Sequence, residues 1–215
     1  MYTPAPFRIS DAHELRQFMA AHPLATVITC TDNGPDAAHL PLLWHDDGSE
    51  HGVLHGHFAK ANPLWRNAHT SPHSPWLAIF QHPGHYISPN YYPSKARDHK
   101  AVPTWNYQAV HAHGHLRLID DPEAVLAMLT ALTAAHEHSQ PRPWQLADAP
   151  QDWLIGLTRA IVCFELVIER LEGKYKLNQH HSADNRHGAI AGLRRQGTPQ
   201  SNHMADIMQR TLENN

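Results

Sequence analysis

Four short stretches hold most of the side chains able to do chemistry. His111-x-His113-x-His115 sets three imidazoles at alternate positions, so on a strand all three share one face. Imidazole suits zinc, copper, nickel or iron. No carboxylate or cysteine sits beside the three, and a chain with 21 histidines produces such clusters by chance. No metal is therefore expected. The pairs His55/His57 and His136/His138 are weaker versions of the same pattern, and the adjacent His180 and His181 read as solvent-exposed bystanders.

The second stretch is Gly56-His57-Phe58-Ala59-Lys60-Ala61-Asn62-Pro63-Leu64-Trp65. A strand ends in a small, polar, cationic turn and a helix begins. Backbone N–H groups at a helix start, together with a lysine, suit a phosphate. A solvated strand-to-helix loop has the same composition. The third is Val102-Pro103-Thr104-Trp105-Asn106-Tyr107, where two aromatic rings flank an amide. Ring stacking plus amide hydrogen bonding is what a planar heterocycle requires, although aromatics also favour strand starts. The fourth is the basic Gly173-Lys174-Tyr175-Lys176-Leu177-Asn178-Gln179, able to reach a phosphate or a carboxylate. Rossmann, P-loop, nucleophile-elbow, zincin and paired-cysteine zinc patterns are all missing, and no acid–base pair stands out as catalytic.

The elements that must position these groups are mostly strands. A helix is expected over residues 10–21, capped by Ser10 or Asp11 with Glu14 in reach of a capping box, and ended by Pro23. Strands are expected at 24–31, 36–44, 52–58, 76–81, 85–92 (bent at Pro89), 105–119 and 160–172, with Gly173 turning the last. Asp32-Asn33-Gly34-Pro35 and Asp46-Asp47-Gly48 make tight turns, and Pro41 marks an edge or a bulge. Along 105–119, Tyr107, Ala109, His111, His113, His115 and Arg117 face one way. Asn62-Pro63 starts a short helix, Asp121-Pro122 a longer one with Val125, Met128, Leu129 and Leu132 at helical spacing, and 153–159 another. Residues 139–152 are a proline-rich loop, and 184–215 are helical in pieces. Tight turns between strands favour an antiparallel β-barrel with peripheral helices over a parallel βαβ fold.

Composition narrows the partners. The chain has 215 residues and a formal net charge of −3, which is not the footprint of a protein that wraps nucleic acid by charge. Charged residues are only 17%, so histidine and 17 prolines fill the gap. Cys30 and Cys163 both lie in apolar strand-like runs and are expected to be buried free thiols of a reduced cytoplasm. No secretory pattern opens the sequence and no apolar run approaches a membrane span, so a cytoplasmic protein is expected.

Taken in order, Met1-Tyr2-x-Pro4-x-x-Phe7, His39-Leu40-Pro41-Leu42, GHFAKANPLW, FQHPGHYISPNYYPSK, VPTWNYQAVHAHG and GKYKLNQ resemble the PaiB-type FMN-binding negative transcriptional regulators. That family belongs to the FMN-binding split β-barrel superfamily of pyridoxine-phosphate oxidase-like proteins. The match runs over roughly residues 1–210. Lys60 stands where arginine is common, His82 where glycine often precedes the proline, and Tyr91 where tryptophan is frequent. Lys176–His180 replaces the usual Lys-Leu-Ser-Gln-Asn.

The resemblance implies one domain over 1–215 with a helical extension from about 184, and a homodimer with FMN at its interface. It implies a flavin phosphate at His57, Lys60 and Asn62, and a flavin ring along His39-Leu40-Pro41. Thr104, Trp105, Asn106 and Tyr107 would complete the pocket, with Lys176 and Gln179 reaching in from the C-terminal segment. The family role is repression of transcription, for which Lys174, Lys176, Arg186, Arg194 and Arg195 are the available basic surface. A flavin-dependent reductase or oxidase is the alternative reading, and a haem- or metal-binding split barrel a further one.

Overall fold

In a computed structural model the described residues are 1–71 and 73–213; the last two positions of the expected C-terminal extension, 214 and 215, lie outside them. The chain divides into two compact units, neither a continuous stretch. One gathers residues 11–80 and 111–171, the other 1–10, 81–110 and 172–213.

The larger unit is an antiparallel sheet. Its strands are β2 (Leu24–Thr31), β3 (Gly34–Pro41), β4 (Leu43–His45), β5 (Val53–Ala59), β6 (Trp76–Gln81) and parts of β8 (Thr104–Ile119) and β9 (Ile161–Lys176). They run in the order β3-β2-β6-β8-β9-β5-β4. The path is open, with β3 at one end, where Pro41 costs no ladder bond to a second neighbour. β3 nevertheless passes close to β5. β2 is rich in β-branched residues and alternates in burial, as a half-buried strand demands. Val27, Leu54, Phe58, Trp76, Phe80, Phe164 and Leu166 form the fully buried interior. Asp11 caps the helix α1 (Ala12–Ala21) by accepting from Glu14 N at 2.7 Å. Asp121 does the same for α4 (Pro122–Glu137), accepting from Ala124 N at 2.8 Å. The Met128 and Leu132 face of α4 packs on Cys163, with Leu43, Ile119, Val125 and Ile161 around it.

The smaller unit contains β1 (Arg8–Ile9) paired with the end of β9, and β7 (His85–Ile87) paired with the start of β8. Helices α6 (Ala183–Gln196) and α7 (Pro199–Glu213) pack together and cover this region. Gly188 and Gly192 lie one turn apart on α6 and receive Tyr91. A β-carbon on Gly192 would stand 2.3 Å from the Tyr91 ring.

Four expectations are corrected. Residues 36–44 are not one strand: the chain breaks at Leu42 between β3 and β4. Gly173 does not turn the last strand, which continues to Lys176 because β1 supplies a new partner at Gly173 and Lys174. Cys30 is exposed, since it falls on the outward phase of β2, while Cys163 is buried as expected. The strand expected at 85–92 ends at Ile87 and passes into a 3-10 turn at Pro89–Tyr91. Two further helices complete the chain, α2 (Trp65–Thr70) and α5 (Gln151–Thr158), with the short α3 (Lys95–Asp98) between them.

Candidate functional site

In the larger unit, β5 delivers His57 and then the basic turn. Lys60 N donates to Ala160 O at 2.8 Å, which ties the end of β5 to the start of β9. Asn62 N closes back on Ala59 O at 2.9 Å, the Asn62 Oδ1 accepts from Leu64 N at 2.9 Å, and Trp65 Nε1 donates to Lys60 O at 3.1 Å. Backbone and indole bonds thus fix the turn, and the Lys60 side chain is left exposed. The sequence reading placed the phosphate on the helix start here. α2 is only six residues long and begins at Trp65, so helix polarity adds little, and Asn62 spends its carbonyl on the turn itself.

His57 is half-buried and sits opposite Cys163 in the β5–β9 register. Its Nδ1 is buried with no hydrogen-bond partner. Burial also holds this imidazole below the ordinary histidine range, so it is neutral at pH 7. In the tautomer that carries its proton on Nδ1, this neutral imidazole is a donor without an acceptor. A phosphate oxygen is one such acceptor, and Lys60, three residues on, supplies the charge. These residues fit an anionic cofactor group.

Two residues earlier, on the same face of β5, His55 is already engaged. Its Nε2 lies 3.2 Å from Glu165 Oε1, its ring stacks on His45 at 4.9 Å, and Arg117 Nε donates to the same carboxylate at 2.8 Å. His39 is exposed on β3 with Nδ1 3.1 Å from Thr26 Oγ1, and Leu40 and Pro41 follow it half-buried. A cavity of about 650 Å³ opens beside Lys60, Trp65 and Arg159 over an apolar floor that includes Val125, Ile161 and Cys163. Of the residues expected in this unit, Lys60 alone lines it. Arg159 carried no sequence signal beyond its charge.

In the smaller unit the expected residues divide. Lys176 Nζ donates to Thr104 Oγ1, which brings the two together. Trp105 is 56% exposed and meets Tyr86, itself 41% exposed, edge-on at 6.2 Å, so an aromatic surface is open to a planar ligand. The Tyr107 ring lies 5.4 Å from Lys174 Nζ. Asn106 is turned inward and fully buried; its Nδ2 donates to Met208 Sδ at 3.3 Å and its Oδ1 is unpartnered. Gln179 uses both ends of its amide locally, accepting from Leu177 N at 2.7 Å and donating to Tyr175 O at 2.6 Å. It shapes the turn rather than offering a contact.

The three alternating histidines of β8 do not act as a set. His111 and His113 lie with ring centroids 6.1 Å apart, while His115 Nδ1 lies 2.9 Å from Glu169 Oε1. The expected basic surface is also thinned. Arg186 is buried and donates to Thr211 Oγ1 at 3.0 Å, and Arg194 pairs with Asp206.

Comparison with solved structures places the fold. The FAD and heme binding protein from Mycobacterium smegmatis superposes with a TM-score of 0.57 at 18% identity, over 86% of this chain and 80% of that one. The flavocytochrome Anf3 from Azotobacter vinelandii gives 0.55 at 18% identity, over 79% and 69%. The molecule is a split-barrel protein of the flavin-binding class. Residues 1–170 match the family described as "Putative FMN-binding domain". Over 213 residues the chain is 30% identical to the Protease synthase and sporulation protein PAI 2 of Bacillus subtilis (strain 168), covering 99% of each. The chain belongs to this FMN-binding family, and its cofactor is FMN.

Proposed function

We propose that the chain works as a homodimeric, cytoplasmic FMN-binding regulator of transcription, with one flavin-binding domain over residues 1–215. The observation that carries the flavin site is the buried, unpartnered Nδ1 of His57 beside the exposed Lys60. In this reading His57, Lys60 and the Asn62 amide nitrogen hold the flavin phosphate. His39, Leu40 and Pro41 line the ring, with Thr104, Trp105, Tyr107 and Lys176 completing the pocket. Asn106 and Gln179 belong to the same flavin-binding set. Bound FMN would supply reversible electron uptake, and the protein would supply orientation and charge.

The homodimer is supported by α5, whose Trp153, Ile155 and Leu157 are 58%, 41% and 46% exposed. Trp153 and Leu157 stand one turn apart on a shared face, and exposed apolar side chains of this kind suit an interaction surface. No helix among the described residues is long and apolar enough to cross a membrane. The regulatory role is supported by the similarity to PAI 2, whose name ties that protein to sporulation and protease synthesis.

A second reading, a flavin-dependent oxidoreductase, is favoured by the burial of Arg186 and the pairing of Arg194, which remove two of five basic side chains from any DNA-facing surface. One experiment separates the readings. FMN-loaded protein is mixed with NADH or NADPH, and separately with labelled genomic promoter fragments across a salt series. Salt-sensitive DNA binding with unbleached flavin supports the regulator. Rapid flavin bleaching without a DNA complex supports the oxidoreductase. Failure to retain FMN sinks both.

A further inference from the structure

The turn that follows β9 carries a second group of basic side chains. Asn178 takes a left-handed φ of 66° and is fully buried, its Nδ2 donating to Tyr92 Oη at 3.0 Å. The two residues after Gln179 are His180 and His181, with ring centroids 4.2 Å apart. His181 stacks on Tyr92 at 4.7 Å, and His180 meets the Phe7 ring edge-on at 5.3 Å. The rings are thus held by aromatic contact, His181 half-buried and His180 exposed. Among the described residues neither has a hydrogen-bond partner at a ring nitrogen, and neither they nor Lys176 has a carboxylate within ion-pair distance. The charge of Lys176 acts on both imidazoles, and with burial it holds them below the ordinary histidine range.

Held below the ordinary range, the two imidazoles are neutral near pH 7, and each has one ring N–H to donate. Fixing them by stacking, with their nitrogens unspent, costs side-chain freedom for no internal bond. A bound oxyanion offsets that cost. It accepts from the ring N–H groups and from the ammonium, and a phosphoryl group, with three peripheral oxygens, matches three donors. We propose that Lys176, His180 and His181 form a binding site for a phosphoryl group. The site lies apart in sequence from the His57–Lys60 turn. It rests on the flavin reading only in that Lys176 is shared with the pocket proposed above.

The phosphoryl group has two conceivable sources, FMN itself or a second phosphorylated small molecule, and a titration with inorganic phosphate distinguishes them. The full chain is followed by NMR of the histidine ring C–H signals at neutral pH, both flavin-free and FMN-loaded, with loading read from flavin absorbance. Two ring signals that shift saturably, and that vanish in H180Q and H181Q, support the site. Lys176→Met should weaken phosphate at least about tenfold, as expected for losing a charge-assisted hydrogen bond. Persistence of the shift in FMN-loaded protein assigns the site to a second molecule. Loss of the shift on loading assigns it to the flavin phosphate. The flavin-free arm runs whether or not FMN binds, so failure of the flavin reading does not decide this one. Absence of a saturable shift in both forms, or unchanged affinity in both Lys176→Met and His180→Gln, overturns the proposal.

Discussion

Gly114 on β8 lies so close to Val167 on β9 that a β-carbon built there would stand 1.8 Å from the Val167 carbonyl oxygen. The contact is to backbone, which cannot rotate aside as a long side chain can. The two longest strands of the protein therefore approach at this point only because residue 114 has no side chain. Gly114→Ala is expected to cost more than the ~1–3 kcal/mol typical of overpacking. Urea unfolding of the variant should show it, and an unchanged midpoint would refute the close approach.

Lys60 is expected to act on the phosphate and not on the isoalloxazine ring. Lys60→Ala should weaken FMN about tenfold or more, on the scale of a lost charge-assisted bond, and leave riboflavin affinity unchanged. Thermal stability should hold, because the turn is fixed by backbone and by Trp65 Nε1 rather than by the ammonium. Equal loss for both flavins, measured by fluorescence titration, would place the lysine elsewhere. Lys60→Arg should retain or tighten FMN through its forked donors.

Acid should destabilise the fold at near-neutral pH. His55, His57, His180 and His181 are all held below the ordinary histidine range, in each case chiefly by burial. The unfolded chain then binds more protons than the folded one, so stability rises with pH through this window. The contribution is present above the unfolded histidine value of about 6.5 and is lost as pH falls through the lower folded values. Urea midpoints measured between pH 7.5 and pH 5 should fall steadily, and His57→Gln should flatten the curve. A midpoint that climbs on acidification would contradict the burial of these rings.

The two thiols should separate cleanly. Cys30 is exposed, whereas burial pushes the Cys163 thiol up to about 11. A chromogenic disulfide reagent should titrate one thiol per chain in the native protein and a second only in denaturant. Fast native reaction at both would mean that α4 does not cover Cys163 as described.

Much of the fold was legible from alternation and turn chemistry. Asp11 and Asp121 announced their helices, and Asp32-Asn33-Gly34-Pro35 announced the hairpin. The errors came where a distant partner decides. Gly173 reads as a breaker until β1 pairs with it, and Cys30 reads as core until the phase of β2 is known. At the candidate site the sequence singled out segments in which charge, amide and aromatic types cluster. It could not say which way each side chain turns. Asn106 goes inward to Met208 and Gln179 folds onto its own turn, and neither orientation leaves a trace in residue type. His180 is exposed, as the sequence suggests, whereas His181 is half-buried against Tyr92, a partner far off in sequence.

The chain passes between its two compact units four times, after Ser10, Phe80, Val110 and Leu171. No single cut in the polypeptide therefore releases either unit whole, and two of the four passages fall inside β8 and β9. Any fragment made by proteolysis or by gene truncation would carry strands torn from partners supplied by the other fragment. Such a polypeptide has to be inherited, synthesised and matured as one piece. During synthesis neither unit can be complete until the ribosome has read past residue 171, so the nascent chain must keep its early strands out of trouble for most of its length.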